Sequence, residues 1–194
     1  MKADRWSLTV TAPPALEPIS LAEARDHLRE DGTEQDVLIA GLIAAVRQHQ
    51  EDTLGLALVS QTHALRLDSF PDEIELPRAP VQSVTSIAYV DTAGAAQTLS
   101  AVSYTVDIYS TPARIIPAYG LSWPDTRDVP NAVTVTYVAG YGATAAAVPD
   151  TLRSAALMRV ADLYENRETQ VVGATISPNP VADALEAPYR VWWL

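Results

Sequence analysis

Hydrophobic positions along the chain follow two different periods, and the switches between them mark its parts. In residues 1–19, Trp6, Leu8 and Val10 alternate with polar neighbours before Pro13, Pro14 and Pro18 interrupt any regular element, which predicts an extended N-terminal arm. Ser20-Leu21-Ala22-Glu23 has the form of a capping box, in which the serine hydroxyl accepts from the glutamate amide and the glutamate reaches back. The helix it opens should run to about Leu28 or Arg29 and stop at the turn Glu30-Asp31-Gly32. Thr33, with Asp36 three positions on, predicts a second helix whose broad apolar face holds Val37, Leu38, Ala40, Leu42, Ile43, Ala45 and Val46. Gly55 is suited to end it, since a left-handed closing residue favours glycine. Residues 20–55 therefore read as a helical hairpin.

Over residues 56–141 the period becomes two. His63 to Asp68, Ile74-Glu75-Leu76 and Val84 to Val90 alternate; Asp91-Thr92-Ala93-Gly94 is a hairpin turn, and Thr98 to Ile108 is expected to return as one strand. Arg114-Ile115-Ile116 and Val133 to Val138 bring the expectation to about six strands, in an antiparallel sheet or small sandwich. Pro149 then suits the first turn of a third helix over residues 149–167, carrying Leu152, Ala155, Ala156, Met158, Val160, Leu163 and Tyr164. Residues 168–194 read as an extended tail, with a short helix possible at 181–185 and an aromatic end. The fold class is α+β: a hairpin and a third long helix, separated in sequence by an inserted antiparallel β subdomain.

Composition narrows the function. The 194 residues include no cysteine, which excludes disulfide frameworks, thiolate metal sites and cysteine nucleophiles. The opening residues carry no apolar run of the secretory kind, and no stretch reaches membrane-spanning length, so a soluble protein made in the cytoplasm is expected. The formal charge is −11, without the basic clusters by which proteins neutralise phosphates. If the protein meets DNA, the contact should be loose or repulsive.

Candidate chemistry is sparse. His27, His49 and His63 share no metal-ligand spacing. Ser60, Thr62 and His63 are neighbours, but adjacent strand residues point to opposite faces, so His63 is expected on a strand surface rather than in a triad. Asp72 with Glu73, and Glu165 with Glu168, are expected to be solvated acids. Gly140-Tyr141-Gly142 is too sparse to cradle phosphate. No catalytic, cofactor or metal site is expected.

The C-terminus is the anomaly. Tyr189, Arg190, Val191, Trp192, Trp193 and Leu194 form an apolar, aromatic end, and chain ends ordinarily face water. It either folds back on its own β subdomain or inserts into a neighbouring protein, with Trp and Tyr as anchors. On the second helix, Ile39, Leu42, Ile43 and Val46 widen the apolar stripe and are candidates for packing between subunits as well as in the core.

Pro18-Ile19-Ser20-Leu21-Ala22-Glu23-Ala24 with His27-Leu28-Arg29 and Asp31-Gly32 resembles the opening of the phage head–tail connector family. The likeness continues through Leu76 to Val84, Pro117-Ala118-Tyr119-Gly120, Ser122-Trp123-Pro124, Val138 to Gly142, Tyr164 to Glu168 and Pro188 to Trp192. The resemblance implies a helical connector core enlarged by the β insertion. It implies a ring, usually of twelve copies, on the portal, linking the head to a stopper or tail connector while DNA passes through the lumen. It also implies the neck of a phage, prophage or gene transfer agent particle as the location, with Tyr189 to Leu194 as the portal-binding tail. Another neck or tail-completion role is the nearest alternative. From other classes, a β-rich module binding a sugar or peptide through Tyr104, Tyr109 and Tyr119, or a hydrolase using His63, would need a shared pocket or patch.

Overall fold

A computed structural model describes residues 6–166 and 180–191. The chain forms helices and antiparallel sheets and divides into two compact units, each described separately below.

The first unit draws on residues 6–15 and 60–141. Its five-stranded sheet has the order β1-β2-β8-β4-β5, with β1 Trp6–Ala12, β2 Gln61–Leu67, β4 Val81–Val90, β5 Ala96–Thr98 and β8 Val133–Ala139. A three-stranded sheet has the order β3-β7-β6, with β3 Ile74–Leu76, β6 Tyr104–Asp107 and β7 Ala113–Pro117. Alternation is the cause. In β8, Val133, Val135, Tyr137 and Ala139 are buried while the residues between them are partly exposed, the period-two signature of a sheet with one face on a core. Ile74, Leu76, Ala113 and Ile115 form the buried face of the smaller sheet. Phe70 stacks on Trp123 at 4.8 Å and meets Tyr89 edge-on at 5.7 Å, so the tryptophan of the Ser122-Trp123-Pro124 segment is a packing residue.

Three expectations change here. Residues 6–12 of the expected extended arm are a paired sheet strand, because Trp6, Leu8 and Val10 stand in register with Leu67, Leu65 and His63. Residues 98–108 are not one strand. After β5 the chain makes a 3-10 turn at Ala101–Ser103 and enters the second sheet as β6. The strands among the described residues number eight rather than six, because sheet exchange splits one run into β5 and β6 and because β1 joins the larger sheet. The turn before β5 is as expected, with Gly94 at φ 91° and Asp91 accepting from the Ala95 amide at 2.9 Å.

The second unit draws on residues 16–59, 142–166 and 180–191. Its helices are α1 Leu21–Leu28, α2 Asp36–Leu54, α3 Asp150–Glu165 and α4 Pro180–Glu186. The capping box forms in full: the Glu23 amide donates to Ser20 Oγ at 3.2 Å, and the Ser20 amide to Glu23 Oε2 at 2.7 Å. The Ser20 amide, then the Ser20 hydroxyl donating to the same oxygen at 2.7 Å, and then Arg153 hold the Glu23 carboxyl below its usual pKa. α1 closes on Arg29 in the left-handed region, and α2 closes on Gly55 at φ 73°. α2 begins at Asp36, not Thr33, because the Asp36 amide is already taken by the Thr33 carbonyl in a preceding turn. Pro149 is the N-cap of α3, with extended ψ of 134°, not a residue inside its first turn.

The core of this unit gathers Ile19, Ala24, Ile39, Ile43, Val46, Ala156, Val160 and Tyr164. Fully burying an aliphatic side chain of this size contributes about 1.5–3 kcal/mol, enough to hold three helices whose propensities alone are weak.

Candidate functional site

The C-terminal segment is anchored by a polar network that the hydrophobic pattern does not reveal. Glu186, at the end of α4 and 4% exposed, accepts from Arg159 Nε at 2.8 Å, Arg159 Nη2 at 2.6 Å and Gln50 Nε2 at 2.8 Å. Asp183, one helical turn earlier, accepts from the same guanidinium at 2.7 Å. These carboxylates raise the Arg159 pKa further, first through the hydrogen bond to Glu186. Gln50 also donates to the Leu152 carbonyl at 3.2 Å, so α2, α3 and α4 share one buried junction. Beyond it the Val191 amide donates to the Leu54 carbonyl at 2.8 Å, and the Tyr189 and Thr151 hydroxyls lie 2.8 Å apart.

The described part of the tail is therefore not extended. Residues 180–191 form α4, a 3-10 turn at Ala187–Tyr189 and a docked end. Residues 180–191 pack on the helical unit, where their acids meet Arg159 and the Val191 amide meets an open C-terminal carbonyl of α2. Tyr189 and Val191 are occupied within the chain, and Arg190 is exposed. Trp192, Trp193 and Leu194 lie outside the described residues.

The helix positions expected between subunits resolve differently from one another. Ile39, Ile43 and Val46 are buried in their own core, and Leu42 packs against it partly buried. The exposed large apolar residues of α2 are instead Val37, 89% exposed, and Leu38. A second polar cluster sits nearby in sequence: Arg47 bonds Glu17 at 2.7 Å and Glu51 at 2.8 Å, while Glu51 accepts the Leu58 amide at 2.9 Å.

In the β unit, His63 is buried at the centre of the sheet rather than on a strand surface. Its ring stacks on Tyr137 with centroids 5.4 Å apart, and neither ring nitrogen has a hydrogen-bond partner among the described residues. Burial, and secondly the Arg78 cation, pushes the His63 pKa down to about 4. Burial pushes the Tyr137 hydroxyl up, and that hydroxyl donates to the Pro77 carbonyl. Ser60 Oγ accepts from Gln82 at 2.7 Å. A neutral imidazole sealed against a phenol ring is packing, not a general base reachable by substrate. The Gly140 amide donates to Pro80 and its carbonyl accepts from Gln82, so that glycine segment ends a strand.

The three tyrosines do not make one patch. Tyr109, 94% exposed, lies in the connection from β6 to β7, whereas Tyr119 follows the far end of β7 and Tyr104 pairs with Pro117 there. Five strand residues separate the two ends by about 15 Å. Asp107 pins the first of these loops by accepting from Ser110 and Arg114, bonds that hold its pKa down to about 2. Asp72 and Glu73 lie in the loop before β3, where Glu73 pairs with Arg114 at 3.2 Å; Glu165 ends α3 and Glu168 lies outside the described residues. Among the described residues no group of three His, Asp or Glu could hold a metal, and no helix is long and apolar enough to cross a membrane.

No family model and no curated protein sequence matches the chain. Solved structures do. A chain in the neck of an empty GTA particle, computed with C6 symmetry, is 28% identical with a TM-score of 0.81, over 97% of both chains. A chain in the virion of a native gene transfer agent (GTA) particle is 27% identical with a TM-score of 0.80, over 96% of both. A chain in the neck of a native GTA particle, computed with C12 symmetry, is 26% identical with a TM-score of 0.72, over 98% of this chain and 97% of that one. In fold and in sequence, across both units, the protein is similar to chains of gene transfer agent necks and virions.

Proposed function

We propose that the protein is a structural, non-enzymatic subunit of the neck of a phage-like or gene-transfer-agent particle, assembled with copies of itself into a ring. The observation that carries this reading is similarity along 97% of both chains to a neck chain, at a TM-score of 0.81. Partial similarity would speak only for a shared domain. Here the match extends over nearly the whole of both chains.

In the finer form of the proposal, twelve copies sit as an adaptor on the portal and hand the channel to a stopper or tail connector. The symmetry of one neck supports that number. The portal-facing element is the C-terminal end. Because Tyr189 and Val191 are held by the chain's own helices, the reach toward a portal starts at residue 192, from a fixed point. DNA passes through the lumen without specific contacts, consistent with a net charge of −11.

The test is light scattering of the purified chain mixed with the portal protein encoded near it, with and without residues 192–194. The expected result is a stoichiometric complex that the truncation abolishes while circular dichroism stays unchanged. A full-length chain that ignores the portal but joins a ring preformed on it would move the assignment to a stopper or tail-completion role.

A further inference from the structure

The alternation that makes β1 a strand also leaves its surface incomplete. Trp6, Leu8 and Val10 stand opposite Leu67, Leu65 and His63, and opposite residues of an antiparallel pair share a face. β8 continues the same rows with Val133, Val135 and Tyr137, all fully buried. Three rows that are buried in β8 and β2 thus run out to β1, where Trp6 is 59% and Val10 51% exposed. All of β1 but Leu8 is exposed, so the strand is held by pairing to β2, to which Thr9 and Thr11 add side-chain bonds.

Among the described residues β1 is an edge of the five-stranded sheet. Its sequence, Trp-Ser-Leu-Thr-Val-Thr-Ala, contains no charge and no proline, the usual means by which an edge resists pairing. At the other edge β5 has three exposed, uncharged residues and pairs with residues 88–90 of β4, and the Leu99 amide bonds the Ile87 carbonyl just beyond.

We propose that the β1 edge is a self-association surface, where a second copy of this chain adds its β4–β5 edge and covers Trp6 and Val10. The proposal rests on the ring reading above. Two unlike edges of one sheet make a head-to-tail contact, which repeats from copy to copy and closes into a ring when the rotation allows. A β1–β1 contact would stop at two copies. Main-chain hydrogen bonds supply the attraction, and the apolar rows set the register.

The test is light scattering of the full chain over rising concentration, comparing wild type, W6K/V10K and, as a control on another exposed apolar site, V37K. Wild type and V37K should form the same closed oligomer. W6K/V10K should remain monomeric with unchanged circular dichroism and thermal midpoint, since both positions already face water. A second arm uses the absence of native cysteine: Thr9→Cys with Thr98→Cys, which the strand registers place on the same sheet face, and a bismaleimide should give a ladder of joined copies. A W6K/V10K chain that assembles like wild type, or a missing ladder in an assembled sample, overturns the β1 contact and leaves the ring reading standing. A wild type that stays monomeric at every concentration also overturns it, and the ring reading is then decided by the portal-mixing experiment.

Discussion

His63 shows how one residue's role is set by its surroundings. The sequence placed it on a strand surface; pairing with Val10 on one side and Tyr137 on the other put it in the core. Its folded pKa of about 4 lies below the ordinary value of 6.5. The unfolded chain therefore binds a proton that the folded one does not between those values, and stability rises with pH across that window. The stabilisation is complete above pH 6.5 and is lost as pH falls toward 4. H63F, which keeps a flat ring on Tyr137, should flatten that part of the profile. Thermal midpoints at pH 4.5 and 7.5, values chosen about the ends of this window, should converge in the variant relative to wild type. An unchanged pH slope would mean that other groups govern it.

At the scale of elements, α4 depends on a few buried polar contacts more than on its own seven residues. A helix that short is marginal in isolation. Glu186 joins it to α3 and α2 through three hydrogen bonds. E186A removes them and leaves Arg159 without its buried partner, a change expected to cost on the order of 2–3 kcal/mol. The urea midpoint should fall, and trypsin should cut at Arg190 faster than in wild type as α4 loosens. If the midpoint moves and the cutting rate does not, Glu186 stabilises the unit without holding this segment. None of these partners was legible in the sequence. Gln50 and Glu186 are 136 positions apart, and no short-range pattern links them. The capping box of α1 was legible, because all its atoms lie within four residues. So was the glycine that closes α2. The start of α2 was misplaced by three residues because Thr33 satisfies the local rule as well as a turn does.

For the molecule as a whole, charge separates guiding DNA from gripping it. A protein that grips DNA gains affinity by releasing counterions, and its binding falls steeply with salt. At −11 the chain should give no mobility shift with duplex DNA even at low salt. A salt-sensitive shift would contradict passage without specific contact. Local periodicity and end signals sufficed to determine the α+β class, the hairpin, the turn at Gly94 and the absence of basic clusters, because each depends on neighbours a few residues away. Tertiary structure decided that residues 6–12 join a sheet, that residues 98–108 divide between two sheets, that Ile39, Ile43 and Val46 are core, and that α4 docks on α2 and α3. An apolar residue is equally ready to meet its own core or another surface. Which one it meets is settled by segments far away in sequence, whose packing must repay the entropy of bringing them together.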